Sequence, residues 1–190
     1  MTANQLVGFC DADFAHDVET RKSHTEFVFL TNHAAIDRKS SQQRRVASSS
    51  TESEYLALSH CVKQAQLLRH LLGLLKHTQA APTPILEDNA ACICLCNSYS
   101  HESRLKHLDV HLHNVRQHVA RNTMSLYFVA TPYQAADYLT KAVSGPGMKR
   151  PNAVLFGSDL ETWKDNTDMK REEARYLAPL APIVTKGPSK

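Results

Sequence analysis

The apolar residues of this chain change their spacing near residue 50, and this change limits the fold to one that combines strands and helices. Before it, the runs LVGFCDADF and EFVFLTN are short, apolar and β-prone, and a third strand is expected within residues 32–46. After it, apolar residues recur at helical spacing, at Tyr55, Leu58, Val62, Ala65, Leu68, Leu72 and Leu75. Three strands therefore precede a long helix.

The next segments alternate in the same way. Two prolines introduce the strand PTPILED, a short helix rich in Ala and Cys follows, and a further helix is predicted over residues 108–121. After the strand SLYFVAT, Thr131 and Pro132 are the preferred residues for a helix N-cap and first turn, and they predict a final α-helix. The predicted order is three strands, a helix, a strand, helices, a strand and a helix.

Composition sets the domain boundary and the expected compartment. Gly and Pro concentrate after residue 142, which predicts a domain over residues 6–142 and a weakly structured tail over residues 143–190. The mean hydropathy is -0.38, and neither a signal peptide nor a membrane span is evident. An odd number of cysteines, three of them two residues apart, favours reduced thiols. We expect an intracellular protein, cytoplasmic or nuclear and not secreted, without a membrane partner.

Acidic residues stand at positions that suit a metal centre. Asp11 lies inside the first strand, Glu54 near the start of the long helix, Asp88 at the end of the PTPILED strand and Asp137 in the last predicted helix. Each also has a structural interpretation: Thr51 and Glu54 have the spacing of a capping box, Asp88 is a good N-cap, and Asp137 could face water. Together, they are the ligands that a pair of Mg²⁺ ions requires.

The sequence around these acids resembles a known family. The motifs are GFCDADFAHD, TRKSHTEFVF, VASSSTESEYLALS, ILEDNAA, SRLKHLDVHLHNVR and QAADYLTK, in that order. They resemble the ribonuclease H domain of copia-type (LTR) retrotransposon Gag-Pol polyproteins over residues 6–142. The resemblance implies an α/β, ribonuclease H-like fold: a mixed five-stranded sheet, its first three strands antiparallel, flanked by helices on both faces.

The resemblance also implies a function. Asp11, Glu54, Asp88 and Asp137 would be the catalytic metal ligands, with Asp11 and Asp137 on one Mg²⁺ and Asp11, Glu54 and Asp88 on the other; Mn²⁺ is a possible substitute. The expected activity is hydrolysis of the RNA strand of RNA–DNA hybrids. Three neighbouring residues are expected to bind the substrate: Ser50, Thr51 and Asn89.

The same resemblance implies partners. In the intact family, this domain is joined to reverse transcriptase and integrase parts. Because Asp11 lies close to Met1, we expect a detached fragment of such a polyprotein, monomeric by default.

The alternative function is a catalytically silent nucleic-acid-binding or relic domain. Glu26 stands where the family usually has Gly before the aromatic residue of the second strand.

Other residues offer competing ligands. Asp13 shares a strand face with Asp11, and Glu52 and Glu87 neighbour Glu54 and Asp88. A zinc site at His107 and His111, four residues apart on a predicted helix, is the weaker hypothesis, because the companion glutamate of an HExxH motif is missing. Cys92 and Cys96 are interpreted as small buried residues. Basic pairs that either contact phosphates or lie in solvated loops are Arg21 and Lys22, Arg38 and Lys39, and Arg44 and Arg45.

Overall fold

A mixed five-stranded sheet forms the centre of the protein in the computed structural model, which describes residues 4–32, 34–97 and 109–139. The strands are β1 (Val7–Asp13), β2 (His24–Thr31), β3 (Ala34–Gln42), β4 (Thr83–Glu87) and β5 (Met124–Phe128). Their spatial order is β3-β2-β1-β4-β5. The first three strands are antiparallel, and β4 pairs in parallel with both β1 and β5. The predicted sheet is confirmed.

The three α-helices found among the described residues pack together against one face of the sheet. They are α1 (Ser50–Leu74), α2 (Ala90–Asn97) and α3 (Asp109–Ala120). Alternate residues of β1, among them Cys10 and Ala12, face these helices and join a core that contains Tyr55 and Val62 of α1. This face therefore carries the main apolar core.

The other face of the sheet is covered by short 3₁₀ helices instead of α-helices. Val7 and Phe9 of β1 point to this side, where Phe9 packs with Ala135 in one apolar cluster and Val7 packs with Tyr133 in another. The covering segment contains two 3₁₀ helices, Thr131–Tyr133 and Ala136–Leu139. The sheet therefore has α-helices on one face and a segment with two 3₁₀ helices on the other.

The prediction of a final α-helix starting at Thr131 and Pro132 is wrong, because the segment forms two short 3₁₀ helices instead. The backbone there makes i to i+3 hydrogen bonds, from Tyr133 to Ala130 and from Gln134 to Thr131, and the N-cap position falls on Ala130. The segment leaves helical geometry at Gln134, and Ala135 and Ala136 are then buried against the sheet. Packing on the sheet overrides the local helix signal at this place.

Gly8 lies at a close approach between β1 and its neighbours on the helical face. A Cβ atom added there would lie 2.6 Å from Phe29 Cε1 and 2.8 Å from Ile85 Cδ1. Contacts this short force neighbouring groups to move, so the core in this position requires glycine.

The predicted boundary at residue 142 lies outside the described residues, as does the whole of the 143–190 tail. Within the described ranges, no helix combines the length and apolar character that crossing a membrane requires.

Candidate metal centre

Three carboxylates meet at one edge of the sheet. Asp11 lies near the end of β1, Asp88 directly follows the parallel neighbour β4, and the carboxyl ends of parallel strands meet at the same edge. Glu54 is brought there from the first turns of α1, which packs on β1. One oxygen from each of the three side chains lies within 4.8 Å of the other two. This spacing lets all three bind a single cation.

Asp137 approaches the cluster from the opposite side of the sheet. It lies in the second 3₁₀ helix, its side chain is buried, and its carboxyl group hydrogen-bonds to that of Asp11. The structure therefore places Asp137 beside Asp11 but outside the group of three whose oxygens are mutually close. Asp11 therefore has Asp137 as one neighbour and Glu54 and Asp88 as the others.

Burial and mutual repulsion change the ionisation of these groups. Desolvation, followed by the hydrogen bond and charge of Asp137 and the charge of Asp88, raises the pKa of Asp11 from 3.8 to about 8. Desolvation and the charges of Asp11 and Asp88 raise the pKa of Glu54 from 4.5 to about 9, although the backbone of Ala12 donates a hydrogen bond to Glu54. The cluster therefore holds protons when no cation is bound.

The chemistry of the cluster fits a divalent cation. Glu54 Oε2 is buried and has no hydrogen-bond partner among the described residues. Among the described residues, no Lys or Arg forms an ion pair with Asp11, Glu54 or Asp88. Buried carboxylates without a cationic partner are costly, and hard divalent ions prefer oxygen ligands.

The start of α1 is capped by other residues than Thr51 and Glu54, which have the capping-box spacing in the sequence. Ser49 caps α1, since its hydroxyl accepts a hydrogen bond from the Glu52 backbone at 3.1 Å. The Glu52 carboxylate accepts hydrogen bonds from the backbone and hydroxyl of Ser48. Glu52 therefore serves the start of the helix, whereas Glu54, two residues later and about 200° further round the helix, points to the cluster.

Asn89 has the capping role at α2 that the sequence offered to Asp88. Its side-chain oxygen accepts a hydrogen bond from the Cys92 backbone at 3.0 Å. Asp88 instead accepts a hydrogen bond from the Thr131 hydroxyl at 2.7 Å. The contact of Thr131 with Asp88 was missed, because the two residues lie 43 positions apart and the local signal at Thr131 is that of a helix start.

The candidate substrate-binding residues are neighbours in sequence of Glu54 and Asp88. Ser50 and Thr51 are in the first turn of α1, exposed and half-buried respectively, and Asn89 is half-buried directly after Asp88. No substrate contact tests them, and they remain predictions. The basic side chains Arg21, Arg38, Lys39, Arg44 and Arg45 are exposed, and Lys22 is half-buried.

Two further buried acids border the centre. Glu26 is the cross-strand partner of Asp11 and is fully buried, and its charge contributes to the raised pKa of Asp11. Glu87 is also fully buried, and one of its oxygens accepts a hydrogen bond from the Asn89 backbone at 3.2 Å. Desolvation, followed by the charge of Glu54, raises the pKa of Glu87 well above its ordinary value. Asp13 is directed elsewhere, to His16 at 2.6 Å.

The structure tests the interpretation of the cysteines but not the zinc hypothesis. His107 lies outside the described residues, so the zinc hypothesis at His107 and His111 stays untested. His118 is buried and hydrogen-bonds to Gln66 and Thr123. Cys92 and Cys96 are buried, as the sequence indicated. Across the described ranges, the one group of three or more metal-binding side chains is Asp11, Glu54 and Asp88.

The fold matches solved ribonuclease H structures. LC11-RNase H1, a protein isolated from compost by a metagenomic approach and solved in complex with an RNA/DNA hybrid, superposes with a TM-score of 0.53 and 10% identity. The match covers 71% of this chain and 93% of that one. The protein therefore has a ribonuclease H-like α/β fold.

Sequence relatives identify the lineage more closely. The chain is 34% identical over 138 residues to the Pol polyprotein of transposon TNT 1-94 from Nicotiana tabacum. It is 32% identical over 139 residues to that of transposon RE2 from Arabidopsis thaliana. The chain is a homologue of retrotransposon Pol polyproteins, which confirms the resemblance indicated by the motifs. Each match covers 73% of the chain and 10% of the relative, so the chain spans about a tenth of their length. No protein-family model matches it.

Proposed function

We propose that this protein is a divalent-metal-dependent endoribonuclease that hydrolyses the RNA strand of RNA–DNA hybrids. The observation that carries the proposal is the convergence of Asp11, Glu54 and Asp88, with mutual distances within 4.8 Å, in a ribonuclease H-like fold. The relationship to retrotransposon Pol polyproteins and the RNA/DNA hybrid bound to LC11-RNase H1 support the choice of substrate.

The four acids divide naturally into two ligand sets. Asp11 and Glu54 with Asp88 would hold one Mg²⁺ or Mn²⁺, and Asp11 with Asp137 would hold a second. Asp11 belongs to both sets, since it contacts Asp137 on one side and lies close to Glu54 and Asp88 on the other. When bound, such ions supply an activated water and stabilise the charge of the leaving 3′ oxygen. The products would carry a 5′ phosphate and a 3′ hydroxyl.

The residues around the acids would select the strand. Ser50 and Thr51 precede Glu54 by about one turn of α1, and Asn89 directly follows Asp88. We assign to them contacts with the RNA strand, whose 2′ hydroxyl is the group that separates RNA from DNA. The side chain of Asn89 is held in place because it already caps α2.

The test is cleavage of a labelled RNA–DNA hybrid with Mg²⁺ or Mn²⁺, with an EDTA control. Asp11→Asn should abolish cutting of the RNA strand. Asp13→Asn is the matched control, because Asp13 lies two residues later on the same strand face but contacts His16 instead of the cluster. Circular dichroism first establishes that all three proteins are folded.

The outcome separates two functions. Metal-dependent cutting that survives Asp13→Asn and disappears in Asp11→Asn supports the ribonuclease. A folded wild type that leaves the hybrid intact overturns it, and hybrid binding without cutting would then establish a catalytically silent nucleic-acid-binding domain.

A further inference from the structure

Gln134 connects two backbone segments, the strand β1 that carries Asp11 and the 3₁₀ helix that carries Asp137. Its side chain is completely buried. The amide Nε2 donates a hydrogen bond to the Cys10 carbonyl at 2.8 Å, and Oε1 accepts one from the Ala136 backbone at 3.3 Å. Cys10 and Ala136 directly precede Asp11 and Asp137. One side chain thus joins the backbones on which both acids are mounted.

Asp137 depends on such a connection more than the other acids do. Glu54 belongs to a 25-residue helix with a capped start, and Asp88 directly follows a strand that is paired on both sides. Asp137 lies in a 3₁₀ helix of only 4 residues. A single short turn has weak hydrogen-bond geometry and little stability of its own, so its position must come from contacts with the sheet.

The connection requires a side chain with a donor and an acceptor. A carboxamide provides an N–H for the Cys10 carbonyl and an oxygen for the Ala136 N–H at the same time. An apolar side chain of similar length fills the space and provides neither. Both hydrogen bonds are shielded from water, which would otherwise replace them.

We propose that Gln134 is a positioning residue that fixes Asp137 against Asp11 and thereby shapes the metal position that these two acids share. The proposal rests on the metal centre of the proposed function. It assigns to Gln134 no contact with metal or substrate, since the side chain reaches only the backbone of Cys10 and Ala136.

The test is Mn²⁺ binding to the full chain without nucleic acid, measured by isothermal titration calorimetry and electron paramagnetic resonance. Gln134→Met should weaken the position shared by Asp11 and Asp137 about tenfold, as changes around metal ligands commonly do. Binding at Asp11, Glu54 and Asp88 should change less than that. Unchanged affinity at both positions in a folded Gln134→Met variant overturns the proposal.

Gln79 offers a matched control at the opposite end of β1. Its Oε1 accepts a hydrogen bond from the Leu6 backbone at 2.8 Å, and its Nε2 donates one to the Asn4 carbonyl at 2.8 Å. Gln79→Met therefore removes a similar set of side-chain-to-backbone hydrogen bonds, at a half-buried position remote from the acids. It should lower the melting temperature and leave Mn²⁺ affinity unchanged, whereas equal losses of affinity in both variants would make the Gln134 effect merely structural.

A double-mutant cycle shows whether Gln134 acts through Asp137. In an Asp137→Asn background, Gln134→Met should cause no further loss of Mn²⁺ affinity, because the ligand that it positions has already been removed. Losses that multiply independently contradict the proposal.

A measurement on the wild type keeps the proposal testable if Gln134→Met does not fold. In nuclear magnetic resonance spectra, the side-chain amide resonance of Gln134 should shift on Mg²⁺ addition, and that of Gln79 should not. Equal behaviour of the two overturns the proposal.

Hydrolysis of the hybrid is measured separately from metal binding. A Gln134 effect on Mn²⁺ affinity without hybrid cleavage removes the ribonuclease function alone, while cleavage with unchanged affinity removes the Gln134 role alone.

Discussion

The stability of the metal-free protein should fall as pH rises from about 5 to about 8. Burial and neighbouring charges raise the pKa of Asp11 from 3.8 to about 8 and that of Glu54 from 4.5 to about 9. Between the ordinary and the raised pKa, the folded state holds a proton that the unfolded state has released. The unfolded state is therefore favoured as pH increases, and the stabilisation is complete only below the ordinary pKa values.

The magnitude follows from the number of protons retained. Each such group changes the free energy of unfolding by about 1.4 kcal/mol per pH unit within its window. From about pH 5.5 to about pH 7.5, Glu54 alone therefore contributes a loss of about 3 kcal/mol. Glu54→Gln keeps a neutral side chain in the cluster and removes this term, so its stability should fall by about 3 kcal/mol less over the same interval.

The assay is urea unfolding followed by circular dichroism in EDTA, for wild type and Glu54→Gln at both pH values. Burial lowers the pKa of His118 from 6.5, which gives stability an opposite pH dependence in that range. His118 is present in both proteins, so its contribution cancels in the difference between them. Equal pH slopes for wild type and Glu54→Gln would refute the assignment of a retained proton to the cluster. Saturating Mg²⁺ should flatten the wild-type slope, because the cation displaces the protons.

Two further substitutions test the packing and the hydrogen bonds of the site. Gly8→Ala should lower the free energy of unfolding by about 1–3 kcal/mol, since the new methyl group overlaps Phe29 and Ile85 at 2.6 and 2.8 Å; urea unfolding measures the loss, and an unchanged midpoint contradicts it. Thr131→Val removes the hydrogen bond to Asp88 and should weaken Mn²⁺ binding by up to about tenfold with little change in melting temperature; calorimetry measures it, and unchanged affinity would show that Asp88 needs no orientation by Thr131.

The order of the elements could be predicted because their signals are local. The apolar period in α1, from Tyr55 to Leu68, is the residue set that the core buries. The edge strand β3 gave a weaker signal, since its side chains are mostly exposed or half-buried and need no apolar alternation. In each of these segments, the neighbours that determine the conformation are close in sequence or repeat at a fixed interval.

The final segment could not be predicted in this way. Thr131 and Pro132 favour a helix start locally, but burial of Ala135 and Ala136 on the sheet and the bond from Gln134 to Cys10 draw the chain away after a single turn. Cys10 and Gln134 are 124 positions apart, so no window of sequence contains both partners. The same distance effect hid Thr131, whose contact with Asp88 depends on how β4 and β5 pair.

The acids were easier to find than their supports, and the structure shows why the two must be considered together. Glu26 lies directly across from Asp11, and Glu87 lies buried near Glu54, so the centre contains more carboxyl groups than its proposed ligands. Like charges this close are compatible with the fold only when protons or cations neutralise them. Protons and divalent ions therefore compete for the same cluster, and each proton displaced makes apparent metal affinity fall about tenfold per pH unit of acidification. The proposed metal binding and the predicted pH dependence of stability would consequently both measure one property, the density of carboxyl groups at this edge of the sheet.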